Sequence, residues 1–249
     1  MLTMKTALLK NTFREIKNTK ARFVSIMMIV ALGVGFFAGV KSTSPSMEKM
    51  AVDYYSDTNL MDFRLVSTLG FEEKDVTAIG ETDGVKDVMP AYFLDVAVSS
   101  EETAGSTIRL LSSPAPYKEY NEISTPVVIE GRMPEKSGEI AVETSTFGTY
   151  KLGDKITILQ NVGDTDVSDK LKTFDYTVVG VVKSPMYISI ERGTTTVGNG
   201  KIDEFAYISE DDFNIERYTV VYTTLDTKGQ QVSPFSNKYE KLVDTVTDN

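Results

Sequence analysis

From Phe23 the chain runs FVSIMMIVALGVGFFAGV, a stretch without a charge, closed by Arg22 on one side and Lys41 on the other. A helix needs about 20 apolar residues to cross the hydrocarbon core, and long basic side chains at its ends can snorkel to close a small shortfall. The pattern therefore predicts a transmembrane helix over 23–40. Ahead of it, Leu9, Phe13 and Ile16 recur at helical spacing while Lys10, Arg14 and Lys17 fall elsewhere. That predicts a short amphipathic helix within 1–22, lying at the membrane surface. Past the span, Met47, Met50, Ala51 and Tyr54 stay on one stripe, so the helix is expected to continue as a stalk over 41–58, with Ser44-Pro45 a place where a new turn could start.

Beyond Asp62 the period changes. DFRLVST reads as a strand, EEKDVTAIGE as a helix ended near Gly84, and VKDVMPAYFLDVAVSS as strand material, together one β-α-β unit. STIRLLS is a further strand, followed by the Pro- and Ser-rich loop SSPAPYKEY. VVIEG, GEIAVE, DKITIL, TFDYTVVGVV, EFAYIS and RYTVVYTTL are short β-like runs separated by Gly, Asp and Asn turns. The final SNKYEKLVDTVTDN has helical spacing at Tyr239, Leu242, Val243 and Val246 and lacks a capping glycine, the pattern of a helix met partway along. The expected class is α+β, in which an α/β subdomain over 59–124 and 214–235 is interrupted by a β-rich subdomain over 125–213. A second stalk or coiled-coil helix is expected to start within 236–249.

Charge fixes the sidedness. Met1 to Arg22 holds Lys5, Lys10, Arg14, Lys17, Lys20 and Arg22 against Glu15, about +5, so a net −10 leaves about −15 for the remainder. A basic arm on an acidic body could bind nucleic acid, but the apolar run directly after it makes membrane lipid the partner. By the positive-inside rule the N-terminus is cytoplasmic and the acidic body lies outside. A cleaved signal peptide also starts basic and continues apolar; against it, an h-region is usually about 7–15 residues and Phe36 to Val40 offers no convincing small-x-small cleavage site. With no cysteine and no histidine, disulfides, thiolate metal sites, and Ser-His or Cys-His catalysis are excluded.

Within the span, Gly35 and Gly39 form GxxxG and Ala31 extends the line one turn earlier, which suits packing against another membrane helix. Lipid-facing glycine is the bland alternative. Other motifs fail on their own chemistry. Ser46-Met-Glu-Lys49 has SxxK spacing but lies on the stalk, without KTG or SDN downstream. In GTTTVGNGK, Asn199 stands where a phosphate-binding lysine is needed, leaving a glycine-rich hairpin. Asp164, Asp166, Ser168 and Asp175 approximate a calcium loop, yet Asp169 occupies its glycine position. The pairs Glu72-Glu73 and Asp211-Asp212 read as solvated faces. No catalytic residue, metal site or cofactor is assigned.

The segment VVIEGRMPEKSGEIAVE has a reading of its own. Gly131 permits a backbone angle closed to other residues, Pro134 fixes the next turn, and Gly138 starts the return strand. Glu130 and Arg132 are placed to pair across the connection. Together with LKNTFREIKNTKARFVSIMMIVALGVGFFAGV and YTVVGVVKSPMYISIERGTTTVGNGKIDEFAYI, this segment resembles the N-terminal part of FtsX-like ABC-transporter permeases, which carry a MacB-like extracytoplasmic domain after the first membrane helix. The most specific part is Glu130, Gly131, Arg132 and Pro134 followed by Gly138 and Glu139.

The resemblance implies a permease subunit working with a separate cytoplasmic ABC ATPase, often as a dimer of permease subunits, and transmitting ATP-driven motion through a stalk. Such permeases have four membrane helices; one span is present here, so the resemblance implies a segment of a longer permease that cannot transport alone. A stand-alone anchored sensor or adhesion module remains the competing class, and a membrane-tethered enzyme a weaker third. Substrate is not readable from fold resemblance.

Overall fold

The computed structural model describes residues 14–15, 17–99, 105–113, 122–144, 150–162, 165–189, 191–230 and 232–248. The chain divides into two compact units, Met1–Asp53 and Tyr54–Asn249. Helix α1 spans Lys20–Asp57, 38 residues with none buried, or about 57 Å at 1.5 Å per residue. It is one helix long and apolar enough to cross a membrane. The new turn expected at Ser44-Pro45 is absent, since α1 runs through Pro45. A proline there removes one backbone bond, and on either side of it the hydroxyls of Ser42, Thr43 and Ser46 bond back to carbonyls of Gly39 and Ser42 at 2.9–3.0 Å. Leu9, Lys10, Phe13 and Ile16 lie outside the described residues, whereas Arg14 and Lys17 are helical and exposed.

The body contains β1 (Phe63–Phe71), α2 (Glu73–Gly80), β2 (Val85–Ala91), β3 (Phe93–Ser99), β4 (Ser106–Ser113), β5 (Val127–Gly131), β6 (Glu139–Glu143) and β7 (Lys155–Ile158). There follow β8 (Asn161–Val162), β9 (Thr165–Asp166), β10 (Asp175–Lys183), β11 (Glu204–Ser209), a 3-10 turn at Glu210–Asp212, β12 (Tyr218–Leu225) and α3 (Asn237–Thr247). The α+β class expected from the patterning is what forms. The first β-α-β unit is split: β12 lies between β1 and β2, antiparallel to both, in a three-stranded sheet. The long run expected as a single stretch of strand material breaks at Tyr92 into β2 and β3, which belong to different sheets.

The larger sheet has the order β5-β10-β6-β11-β4-β3-β7, and β7 pairs again with β10. Six strands therefore close into a ring, with β5 lying beside the second half of β10. Strands β3 and β4, grouped by the sequence reading with residues 59–124, thus hydrogen-bond into the larger sheet. Alternation along each strand fills the ring. Val96, Val98, Ile108, Leu110, Ile140, Val142, Ile156, Ile158, Tyr176, Val178, Ala206 and Ile208 form one buried cluster. Between them Leu111, Ala141, Phe205 and Tyr207 form a second cluster, as period-two geometry requires for the opposite face. Met186 and Phe93 pack against this outer layer and also against Ala91, Ile123, Val220 and Tyr222, so the two sheets share side chains. Helix α2 contributes Val76 and Ile79 to a further cluster with Val221 and Val88. Its first turn is closed by a reciprocal box between Glu72 and Asp75.

Ring closure depends on a bulge in β10. Its register against β6 shifts between Val178 and Gly180, after which Val182 packs in the outer layer. Gly180 sits opposite Gly131 of β5. A Cβ on Gly180 would lie 2.1 Å from the Arg132 carbonyl oxygen, and one on Gly131, where φ is +74°, would lie 2.2 Å from the Val179 carbonyl oxygen. Two backbones meet here at a distance only glycine allows. Gly180→Ala is expected to lower unfolding stability by at least about 2 kcal/mol, because a methyl group cannot fit without moving a strand. Gly153→Ala, which has a positive φ but open space around it, should cost about 1 kcal/mol. Urea titration of the two variants checks the difference; equal costs would show that the close approach does not matter.

Candidate functional site

The connection 131–139 builds upward from that glycine contact. Arg132, just past β5, donates from Nη1 to Glu139 Oε2 and from Nη2 to Glu139 Oε1, both at 2.7 Å. Glu139 also accepts the Glu135 backbone N–H at 3.0 Å. The pairing of Arg132 with Glu130 expected from sequence is thereby corrected. Glu130 is exposed on β5, while Glu139, at the start of β6, is buried at the return of the turn and needs the cation. Pro134 is buried, and Gly138 has φ +78°.

The far side of the turn is held by Asp212. Ser137 Oγ donates to its Oδ1 and the Gly138 N–H donates to its Oδ2 at 3.3 Å. Asp212 is fully buried, so the reading of Asp211-Asp212 as a solvated face fails for Asp212. The 3-10 turn sends alternate carboxylates in opposite directions, and Asp211 alone stays exposed. Glu72 and Glu73 also have partners. Glu72 pairs with Lys74 and Arg217, each at 2.6 Å, and Glu73 accepts the Tyr218 hydroxyl at 2.6 Å.

Where α1 enters the body, Thr58 is buried and its hydroxyl caps the Tyr54 carbonyl at 2.8 Å. Asn59 adopts φ +46°, a conformation asparagine tolerates. Its side-chain amide donates to the Glu122 carbonyl at 2.8 Å. Ser124 and Thr125 N–H groups donate to the carbonyls of Asn59 and Thr58 at 2.7 and 2.9 Å, and the Met61 N–H donates to Ser124 Oγ at 3.1 Å. The chain leaving the helix is thus stitched to the segment before β5 by four bonds drawn from both backbones.

Two of the clefts lined by described residues bear on the site. One of about 550 Å³ is lined by Val66 and Ser67 of β1, Phe93 to Asp95 of β3, Lys170, and Thr194 to Val197. Of its lining residues, Asp95 is held by the Arg109 guanidinium through Nε–Oδ1 and Nη2–Oδ2 contacts of 2.6 and 2.8 Å, and the Phe93 ring centroid lies 4.9 Å from Arg109 and 5.2 Å from Arg64. The other, about 270 Å³, lies beside Tyr54 and is lined by Glu143, Lys183, Tyr187 and Arg192. There Arg192 donates to both oxygens of Glu143 and to the Ser189 carbonyl, pinning 184–192 to β6. Burial pushes the Glu143 carboxyl up, against the pull of Arg192. In each cleft the acidic group is engaged by an arginine, Asp95 by Arg109 and Glu143 by Arg192, an arrangement that fixes strands and loops in place.

The remaining sequence candidates are dispersed. Ala31, Gly35 and Gly39 are exposed on α1, and nothing lies within 4 Å of a Cβ placed on Gly35 or Gly39. Ser46 Oγ bonds the Ser42 carbonyl. Thr194 and Lys201 form a bridge that closes the glycine-rich hairpin, with Val197 buried under it. Asp166 accepts the Ser168 N–H, and Asp175 accepts the Thr157 hydroxyl, while Asp164 and most of SSPAPYKEY lie outside the described residues. Sequence reading missed Arg109–Asp95, Glu143–Arg192 and the burial of Asp212. Only the first had a signal, an arginine and an aspartate inside otherwise apolar strands.

No family model matches the chain, and no curated protein matches it. Among solved structures it is similar to the extracellular domain of the noncanonic ABC-type transporter YknZ from Gram-positive bacteria, at 16% identity and TM-score 0.35 over 72% of this chain and 85% of that one. It is also similar to the periplasmic region of MacB from Actinobacillus actinomycetemcomitans, at 8% identity and TM-score 0.37 over 74% of this chain and 75% of that one. Both TM-scores lie below 0.5, so the weight of any function falls on this chain's own residues.

The Arg132–Glu139 pair generates a pH prediction. Hydrogen bonding from Arg132 holds the Glu139 carboxyl at about 2, below its ordinary 4.5. A depressed folded-state value means the stabilisation is complete above pH 4.5 and is lost as pH falls from there towards 2. Glu139→Gln should therefore be less stable than the parent at pH 7 and should lose less on acidification across that window. Urea midpoints at pH 7, 4 and 3 check this; parallel pH profiles for the two proteins would rule it out.

Proposed function

We propose that this chain is a permease-subunit segment of an FtsX/MacB-like ABC transporter, in which the exported domain couples cytoplasmic ATP hydrolysis to conformational change or partner engagement outside the membrane. The observation that carries the reading is the unbroken helix α1, apolar over its first half and built at its C-terminal end into the body by the Thr58–Asn59 and Ser124–Thr125 bonds. Such a helix transmits displacement along its axis, because Lys20 to Asp57 form one continuous helix that lacks a backbone donor only at Pro45. The resemblance of the 130–139 connection to the family supports the same reading. ATP hydrolysis then belongs to a separate cytoplasmic subunit, and this chain performs no catalytic step. Ala31, Gly35 and Gly39 provide the surface for a neighbouring membrane helix, consistent with permease subunits acting as a dimer. The basic residues ahead of Phe23 hold the N-terminus in the cytoplasm, which puts the body outside.

Two measurements test this. Isolated in mild detergent from its native membrane, the protein should bring with it an ATP-hydrolysing subunit. Its absence under several detergents would favour the stand-alone sensor or adhesion module.

The second measurement reads sidedness. The chain has no cysteine, so single introduced thiols report position cleanly. In intact cells a membrane-impermeant maleimide should label Lys49→Cys and spare Lys17→Cys; the reverse pattern would invert the orientation.

A further inference from the structure

The carboxylate of Asp62 sits between the end of α1 at Asp57 and the start of β1 at Phe63, and both of its oxygens are used by distant parts of the chain. Oδ2 accepts the Leu225 N–H, at the end of β12, at 2.7 Å. Oδ1 accepts the Tyr239 hydroxyl, in the first turn of α3, at 2.6 Å. The Asp62 N–H itself donates to the Thr223 carbonyl at 2.9 Å. One residue thus bonds the last turn of strand leading out of the sheet and the helix that follows it, at the point where α1 hands over to the body.

The rest of α3 is arranged around the same contact. Ser236 caps the helix by accepting the Tyr239 N–H. Tyr239, Leu242, Val243 and Val246 form its half-buried edge, and a Cβ on Gly84 would meet Val246 Cγ2 at 2.7 Å, so the helix lies close on the turn before β2. No residue of α3 is fully buried, which leaves its apolar anchorage modest. A charge-assisted hydrogen bond of 2.6 Å is short and directional and is worth about twice a neutral one, so it sets the helix's azimuth in a way that a half-exposed apolar edge does not. Burial, then the bond to Asp62, pushes the Tyr239 phenol upward, keeping it a donor.

We propose that Asp62 is a positioning residue that locks α3 to the segment joining α1 to β1, so that α3 and the residues just past α1 move together. This role rests on the proposed function for its purpose, but its structural content is testable without any transporter partner. In the full chain, Ser56→Cys and Lys241→Cys, both at exposed positions, accept spin labels against a background free of cysteine. The label-to-label distance distribution should be narrow in the parent and broaden about twofold in Tyr239→Phe and in Asp62→Asn, as expected when one end of a weakly buried helix is released. Tyr218→Phe supplies the comparison, since it removes another phenol–carboxylate bond, to Glu73 at 2.6 Å, away from α3. It should leave the width unchanged even where it lowers the melting temperature as much. A width unaltered by Tyr239→Phe, or equal broadening by Tyr218→Phe, overturns the proposal. The distance measurement is made without nucleotide or ATPase, so failure to find such a subunit and failure of the lock are separate results.

Discussion

The fold hangs on β10 serving three neighbours. Its first residues pair with β7, Thr177 to Val182 with β6, and its last residues with β5. One strand edge has two sides, so three partners are possible only if one side is divided lengthwise, β7 below and β5 above. The division falls at the Val178–Gly180 register shift, where the strand bends and its inward face changes parity. Without a side chain at 180 the strand can turn against the Arg132 carbonyl and close the ring. Everything inside the ring, from Val96 to Ile208, is buried as a consequence of that closure.

Around this frame the buried charges act as ties between segments that are far apart in sequence. Glu139 and Asp212 fasten the 131–139 connection from its two sides, Glu143 holds 184–192 through Arg192, and Asp95 holds β3 to β4 through Arg109. Each carboxylate is buried or nearly so, and a buried charge without its partner would cost several kcal/mol. The pairs therefore specify which loop lies where more than they add to net stability. The same logic applied at Thr58, Asn59 and Asp62 joins the anchor helix to the sheets by polar bonds, with the apolar clusters lying further in.

Legibility in the sequence followed the range of the interactions. The long helix was plain because its signal is local composition: eighteen uncharged residues flanked by cations need no tertiary knowledge. Most strands were legible by period. The course of α1 through Pro45 was not, since a proline inside a helical pattern reads as a break, whereas here the helix continues across it. The grouping of strands went astray for a different reason. VKDVMPAYFLDVAVSS is continuous strand material, yet Tyr92 divides it between two sheets, and only the pairing of β3 with β4 and of β2 with β12 decides that. Arg132 was seen as a partner in an ion pair, but its choice of Glu139 over Glu130 depends on which carboxylate the turn buries. Gly180 within TFDYTVVGVV carried a further overlooked clue, a glycine inside a β run, which marks a bulge or a close backbone approach.

A body of this kind, with its charges paired internally and its sheets sharing Phe93 and Met186, is suited to moving as a unit. The acidic groups that line its clefts, Asp95 and Glu143, are bound to arginines. Polar bonding of the same kind continues through the residues just past α1. Because Thr58 is buried and Asn59 is held by the segment before β5, the joint lacks the run of small, unbonded residues that a free hinge requires. The residues between Tyr54 and Phe63 are thus tied to the sheets by their own polar bonds, and the transmitting role proposed for the chain rests on those bonds.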